Sequence, residues 1–236
     1  MQGVVHYNPH VSHQTDFARA FANCGFKITT NRNEPADVHV IYGPHYCLHV
    51  WRKHTRVIYI DRAWWGHDES KPGDGYASIG WLNPDGSRRF ATGTKPRPKP
   101  EYESWKTREC SALILAGYDE DVSEVVFEAY KRFTTVNVRK HPANRTHAEV
   151  SLEDHIRLRD VIICNQGTAG FEAIIQGKPL ICLNPQSELL PVACGTMDGE
   201  LYRGDRDEWL HDMSYKQWSL AEIASGEVWQ HLKDVE

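Results

Sequence analysis

Short apolar runs separated by amphipathic segments recur along both halves of the 236-residue chain. In the first half Gly3 to Tyr7, Phe26 to Thr29, Val38 to Tyr42 and Arg56 to Asp61 have the length and β-branched content of strands. Thr15 to Cys24 and Pro44 to Lys53 have helical spacing; Ser12 or His13 opens the first of these helices and Gly25 closes it. Between Arg62 and Lys106 the pattern dissolves into Gly, Pro and aromatic residues, ending in GTKPRPKPEYESWK, whose prolines favour an extended strap. A stretch of that length is a functional loop or a linker. The alternation then resumes with strands Ser111 to Ala116, Val136 to Arg139, Val161 to Cys164 and Pro179 to Leu183. Helices Asp121 to Phe133, Leu152 to Leu158 and Ala169 to Gln176 lie between them, and a helical tail from Trp209 to Leu232 follows.

Strands alternating with helices predict the α/β class, as two Rossmann-like halves with a cleft between them. Residues 1–100 form the first domain with its irregular loop, and residues 101–236 the second with the C-terminal helices. A linker lies near Arg97 to Arg108, and the tail is available to cross back. No internal sequence repeat is visible.

The composition, with 40% hydrophobic and 25% charged residues, is that of an ordinary globular protein. A formal net charge of -5 argues against a surface coated in basic residues for non-specific nucleic-acid binding, though a local basic stripe is compatible with it. The 13 His, 10 Tyr and 8 Trp favour recognition of polar rings such as sugars or bases, with core filling as the plainer alternative. Six cysteines without CxxC pairs fit a reducing cytoplasm. The start of the chain lacks signal-peptide character and no window approaches the ~18 apolar residues of a membrane span, so a soluble cytoplasmic protein is expected.

In a doubly wound sheet, ligands collect where strands end at their carboxyl edge. The sharpest such edge is VIICNQGTAGFEAIIQGKPLICL, where a strand runs into Asn165, Gln166, Gly167, Thr168, Ala169 and Gly170 before a helix. Small residues let a diphosphate approach the backbone, and exposed amides with the helix dipole attract its charge. The Thr168 hydroxyl adds a donor, and Glu172 is placed to accept from a ribose diol or simply to sit favourably near a helix N-terminus. A second edge, NVRKHPANR, delivers Lys140, His141 and Pro142, with Arg139 and Arg145 adding positive charge. A third, LILAGYDED, places Tyr118 where it can stack on a base.

KHP followed about two dozen residues later by CNQGTAGFEAIIQGKPLICL resembles the donor half of glycosyltransferases with the GT-B fold, most closely the bacterial capsule β-Kdo transferases and related phage enzymes. The resemblance covers roughly Val138 to Leu183. It implies that His141, Pro142, Gly167, Thr168, Gly170 and Glu172 bind the nucleotide of an activated sugar. Asn165 and Gln166 stand where such enzymes are expected to carry small hydroxyl residues. The implied co-substrate is a UDP- or CMP-linked sugar, with no other cofactor.

In such a transfer the leaving-group charge collects on phosphate, so a helix N-terminus and basic side chains suffice, and no DxD motif is placed to hold a metal. An inverting reaction also needs a general base, for which Asp61, at the end of RVIYID, and His13, in the loop after the first strand, are the candidates. Trp64, Trp65 and Trp81 are acceptor candidates for a glycan. The stretch Ser87 to Arg108, with Arg97, Lys99 and Lys106 among Phe90, Tyr102 and Trp105, reads as a basic arm for DNA, or else as a solvated linker. On that arm the narrowly favoured acceptor is a hydroxymethylpyrimidine in phage-type DNA. The alternatives are a capsule or other surface glycan, or a protein that binds a nucleotide-sugar without turning it over.

Overall fold

The computed structural model describes residues 2–8, 12–43, 53–54, 56–65, 75–118, 120–141 and 150–235, the side chains of Ser12 and His13 excepted. Among the described residues no helix is long and apolar enough to cross a membrane. The chain divides into two compact units, residues 1–99 with 210–236, and residues 100–209. The C-terminal helices, grouped by the sequence with residues 101–236, thus belong to the first unit. The reason is apolar: Tyr215, Trp218, Ile223, Val228 and Leu232 share one buried cluster with Val5, Phe21, Val38 and Ile58.

In the first unit, β1 (Gly3–His6), β2 (Lys27–Thr29), β3 (Val38–Tyr42) and β4 (Val57–Arg62) are parallel and lie side by side in the order β4-β3-β1-β2. Helix α1 (Ser12–Asn23) follows β1 and buries Phe17, Ala18 and Phe21. His13 therefore falls in the first turn of α1 and not in the preceding loop. The irregular region expected from Arg62 to Lys106 contains a central strand, β5 (Tyr76–Leu82), antiparallel to β4. On the side away from β4, a two-residue strand, β6 (Arg88–Arg89), pairs with the C-terminal end of β5 and β11 (Gln217–Ser219) with its N-terminal end. Five consecutive residues of β5 are buried, so it lacks the alternation that marks a half-exposed strand. The helix expected over Pro44 to Lys53 lies outside the described residues except at its last position.

Histidines occupy the interior of this sheet. His6 Nε2 and His39 Nδ1 are 2.9 Å apart across β1 and β3, and the His39 ring stacks on His54 with centroids 3.6 Å apart. Burial, then the neighbouring His54, holds the His39 pKa down at about 4; burial, then Lys53, lowers that of His54. A histidine kept neutral by the fold is protonated first in the unfolded chain. Its contribution is therefore intact above the unfolded value near 6.5 and is lost as pH falls from there towards about 4. The loss attributable to His39 is up to about 3 kcal/mol. The urea midpoint should drop between pH 7 and pH 5 and drop less in His39→Asn; equal drops would contradict the assignment.

The second unit is built on β7 (Ser111–Leu115), β8 (Thr135–Arg139), β9 (Val161–Cys164) and β10 (Leu180–Cys182), all parallel, in the order β10-β9-β7-β8. Helices α2 (Ser123–Arg132), α3 (Leu152–Arg157) and α4 (Thr168–Ile175) connect them. Ala112, Ile114, Phe133, Val161, Ile163 and Ile181 form the core. Lys178 is buried, its ammonium donating to the carbonyls of Arg157 (2.9 Å) and Arg159 (2.6 Å), so it closes the C-terminal end of α3. The tail then runs through α5 (Asp207–Ser214), β11, α6 (Leu220–Ala224) and α7 (Glu227–Lys233); it is helical as expected except for β11. Numbered by first appearance within its unit, each parallel sheet has the doubly wound order 2-1-3-4, which puts a topological switch point between its first and third strands.

Candidate functional site

All four strands of the second sheet end at one edge, and the residues singled out in the sequence gather there. At the switch point β9 runs into Asn165, Gln166 and Gly167, and α4 starts at Thr168. Gly167 caps the helix with φ 107° and ψ 171°, a conformation an L side chain rarely adopts, and it offers no side-chain cap. Its carbonyl accepts from the amides of Gly170 (3.1 Å) and Phe171 (3.3 Å). Among the described residues the amides of Thr168 and Ala169 have no acceptor, so two donors and the positive end of the helix dipole face outwards. A Cβ on Gly170 would stand 2.8 Å from Cys164 Sγ and 2.7 Å from Leu189 Cδ1, so glycine there lets the first turn of α4 lie directly on the strand end.

The neighbouring edges complete the group. His141 follows β8 and Tyr118 follows β7; both are exposed, and their rings meet edge to face with centroids 5.8 Å apart. Lys140 is exposed beside them. Arg139 is not part of the basic edge: it is buried and bonded to the Val150 carbonyl (2.9 Å) and His155 Nδ1 (3.0 Å). Pro142 and Arg145 lie outside the described residues. Glu172, one turn into α4, accepts from the Gln176 side-chain amide at 3.0 Å.

Several participants were not read from the sequence. Glu120 accepts from the Gly117 amide and from the Asn165 side-chain amide, joining the loops after β7 and β9. Asn184, after β10, donates to Gln166 Oε1 at 3.0 Å. Cys182 Sγ lies 3.1 Å from the Asn165 carbonyl, beneath the turn. A hydrogen bond from Cys164 lowers the Cys182 pKa to about 6 against the effect of burial, and the same bond and burial raise that of Cys164. Contrary to the expectation that no DxD motif is placed at this edge, the run Asp119-Glu120-Asp121 has DxD spacing in the sequence, with Asp119 outside the described residues. Asp121 is bonded to the Ser123 amide (3.0 Å) and hydroxyl (2.7 Å) at the start of α2.

In the first unit Asp61 is at the carboxyl end of β4, half-exposed; its Oδ1 accepts from the Arg62 amide at 2.8 Å and its Oδ2 is 4.0 Å from Arg88. Burial, then Asp61, raises the pKa of both Tyr42 and Tyr59. The acceptor candidates fare unevenly. Trp64 and Trp81 are buried, Trp81 donating to the Leu232 carbonyl at 2.7 Å, so neither is a surface platform. Trp65 is half-buried, its amide 3.3 Å from Gln217 Oε1. Arg97, with 7% of its side chain exposed, pairs with Glu222 at 2.8 Å, donates to the carbonyls of Ser214 and Gln217, and stacks over Trp218 at 3.9 Å. Arg206 lies over Tyr102 (4.1 Å) and Trp105 (3.9 Å), engaging the aromatics expected to stack on a base. Lys106 pairs with Glu103 at 2.8 Å, and Lys99 is exposed. The stretch expected to be a basic arm thus commits much of its charge and its aromatic faces to the fold.

Two α/β units, each with four parallel strands in the order 2-1-3-4, define a GT-B-like α/β fold. Among solved structures the chain is similar to the β-Kdo 2,7 transferase of Thermosulfurimonas dismutans KpsC, at 12% identity over 100% of both chains with a TM-score of 0.57. It is also similar to the β-Kdo 2,4 transferase of the same KpsC, at 12% identity over 91% of this chain and 90% of that one, with a TM-score of 0.51. At that identity the likeness is one of fold. No family model matches the sequence, and no curated protein matches it.

Proposed function

We propose that the chain is a glycosyltransferase that binds a nucleotide-sugar, UDP- or CMP-linked, at the carboxyl edge of its second sheet. The observation that carries this is the N-terminus of α4 at the switch point, where the amides of Thr168 and Ala169 have no acceptor among the described residues, at the same sheet edge as His141 and Tyr118. In this reading the amides and the Thr168 hydroxyl take the donor phosphate, His141 and Lys140 add donors to it, and Tyr118 packs against the base. Charge gathering on the leaving phosphate is then met by fixed dipoles without reorganisation, the way such sites lower a barrier. The general base is assigned to the first unit, to Asp61 or His13 near the carboxyl edge of its sheet. The GT-B-like fold supports a transferase, and the β-Kdo transferases similar in fold favour a glycan acceptor. The DNA acceptor rested on the basic arm, and with Arg97, Tyr102 and Trp105 engaged in packing that argument loses its footing.

Incubation with a panel of CMP- and UDP-sugars tests the reading. Slow hydrolysis of one donor, accelerated by an oligosaccharide acceptor, is the expected result; tight binding without turnover on any acceptor would instead describe a nucleotide-sugar binding protein. His141→Ala and Glu172→Ala should each weaken donor binding about tenfold or more while leaving the unfolding midpoint unchanged, since a hydrogen bond to a charged group is worth about 1.5–3 kcal/mol. Unchanged affinity in both variants would move the donor elsewhere.

A further inference from the structure

A carboxylate at the edge of a phosphate site is an electrostatic cost, yet Glu120 stands at the switch point itself, half-buried between the ends of β7 and β9. Its two oxygens are divided between two loops: Oε2 accepts from the Gly117 amide and Oε1 from the Asn165 side-chain amide. On the other flank, Gln166 is held through its side chain by Asn184 at 3.0 Å. The turn ahead of α4 is therefore tied on both flanks, and Thr168 and Ala169, which follow it, are the ones whose amides have no acceptor among the described residues. Amide side chains take the place of the small hydroxyls expected at 165 and 166 because here they tie the turn to its neighbours.

We propose that Glu120 is the positioning residue of the phosphate-binding turn, acting through Asn165 to keep the first amides of α4 aimed at an anionic ligand. This rests on the nucleotide reading above. With both oxygens occupied by N–H donors, the carboxylate's charge is spread into the protein, and its role is to set the geometry of the turn without touching the ligand.

The polarity of the bond gives a direct test. Glu120→Gln leaves one oxygen for two donors and turns an amide towards the Asn165 amide, while Asn165→Asp sets two carboxylates face to face. Combining them restores a complementary pair with the same total charge: the glutamine amide donates to the new carboxylate and its oxygen still accepts from Gly117. Isothermal titration with CMP and UDP, and with cytidine and uridine, reads the effect. Each single substitution should weaken the nucleotide that the wild type prefers by about tenfold or more, and the double variant should return to within about threefold of wild type. Affinity for the matching nucleoside, which lacks the phosphate, should not change; general structural damage would lower both. If a single variant fails to fold, Asn165→Ala removes one side of the brace without opposing like groups and should show the same phosphate-specific loss. Single variants that bind like wild type, or a double variant no better than either, would overturn the proposal, and the donor site would stand if His141→Ala still weakens binding. A wild type that binds neither nucleotide would overturn both.

Discussion

Arg97→Ala is expected to destabilise the first unit by about 3–5 kcal/mol, the cost of removing one partner from a buried ion pair and leaving Glu222 behind. The guanidinium is the hub of the C-terminal segment. It pairs with Glu222 at 2.8 Å and donates to the carbonyls of Ser214 and Gln217, both at 3.0 Å. It also lies over the rings of Trp218 and Tyr215. Truncation leaves the half-buried Glu222 carboxylate with only its cap bonds to Ser219, and strands two carbonyls and the faces of one indole and one phenol ring at once. A urea titration checks this. A loss below about 1 kcal/mol, the range of exposed ion pairs, would mean that Arg97 is a surface charge after all.

The second large effect is functional. Gly167→Val should abolish nucleotide binding, by more than about a hundredfold, at a stability cost of only about 1–3 kcal/mol. Among the described residues nothing lies within 4 Å of a Cβ built on Gly167, so the penalty is conformational: φ 107° is unfavourable for valine, and the turn relieves it by rotating. Rotation withdraws the amides of Thr168 and Ala169 together, and two hydrogen bonds to a charged group are worth about 3–6 kcal/mol. Titration calorimetry beside a thermal melt separates the two effects. A valine variant that binds nucleotide normally would show that these amides are not the phosphate site.

Much of the second unit was legible because its strands are short apolar runs and each ends in punctuation: Gly117 after β7, the His141-Pro142 pair after β8, Gly167 after β9. Strand ends at one edge of a parallel sheet must converge, so the donor candidates were brought together by topology alone. What escaped was of two kinds. β5 is buried on both faces and flanked by glycine and proline, so neither alternation nor composition set it apart from a loop. Arg97, Tyr102 and Trp105 carried the chemistry expected of a polyanion-binding arm, and only tertiary partners more than a hundred residues away in sequence, Glu222, Trp218 and Arg206, show that it is used internally. Glu120 was missed for a related reason: an acidic residue in a loop carries no signal of the amide it will meet, here Asn165, 45 positions later.

The central claim is that a nucleotide phosphate sits on the N-terminus of α4. Amide-resolved NMR of the wild-type chain, with CMP and with UDP added in turn, tests it most directly. One of the two nucleotides is expected to shift the Thr168 and Ala169 amide resonances downfield and slow their exchange, with smaller shifts at His141 and Tyr118. Perturbations confined to other residues, or none at Thr168 and Ala169 at saturating nucleotide, would contradict it.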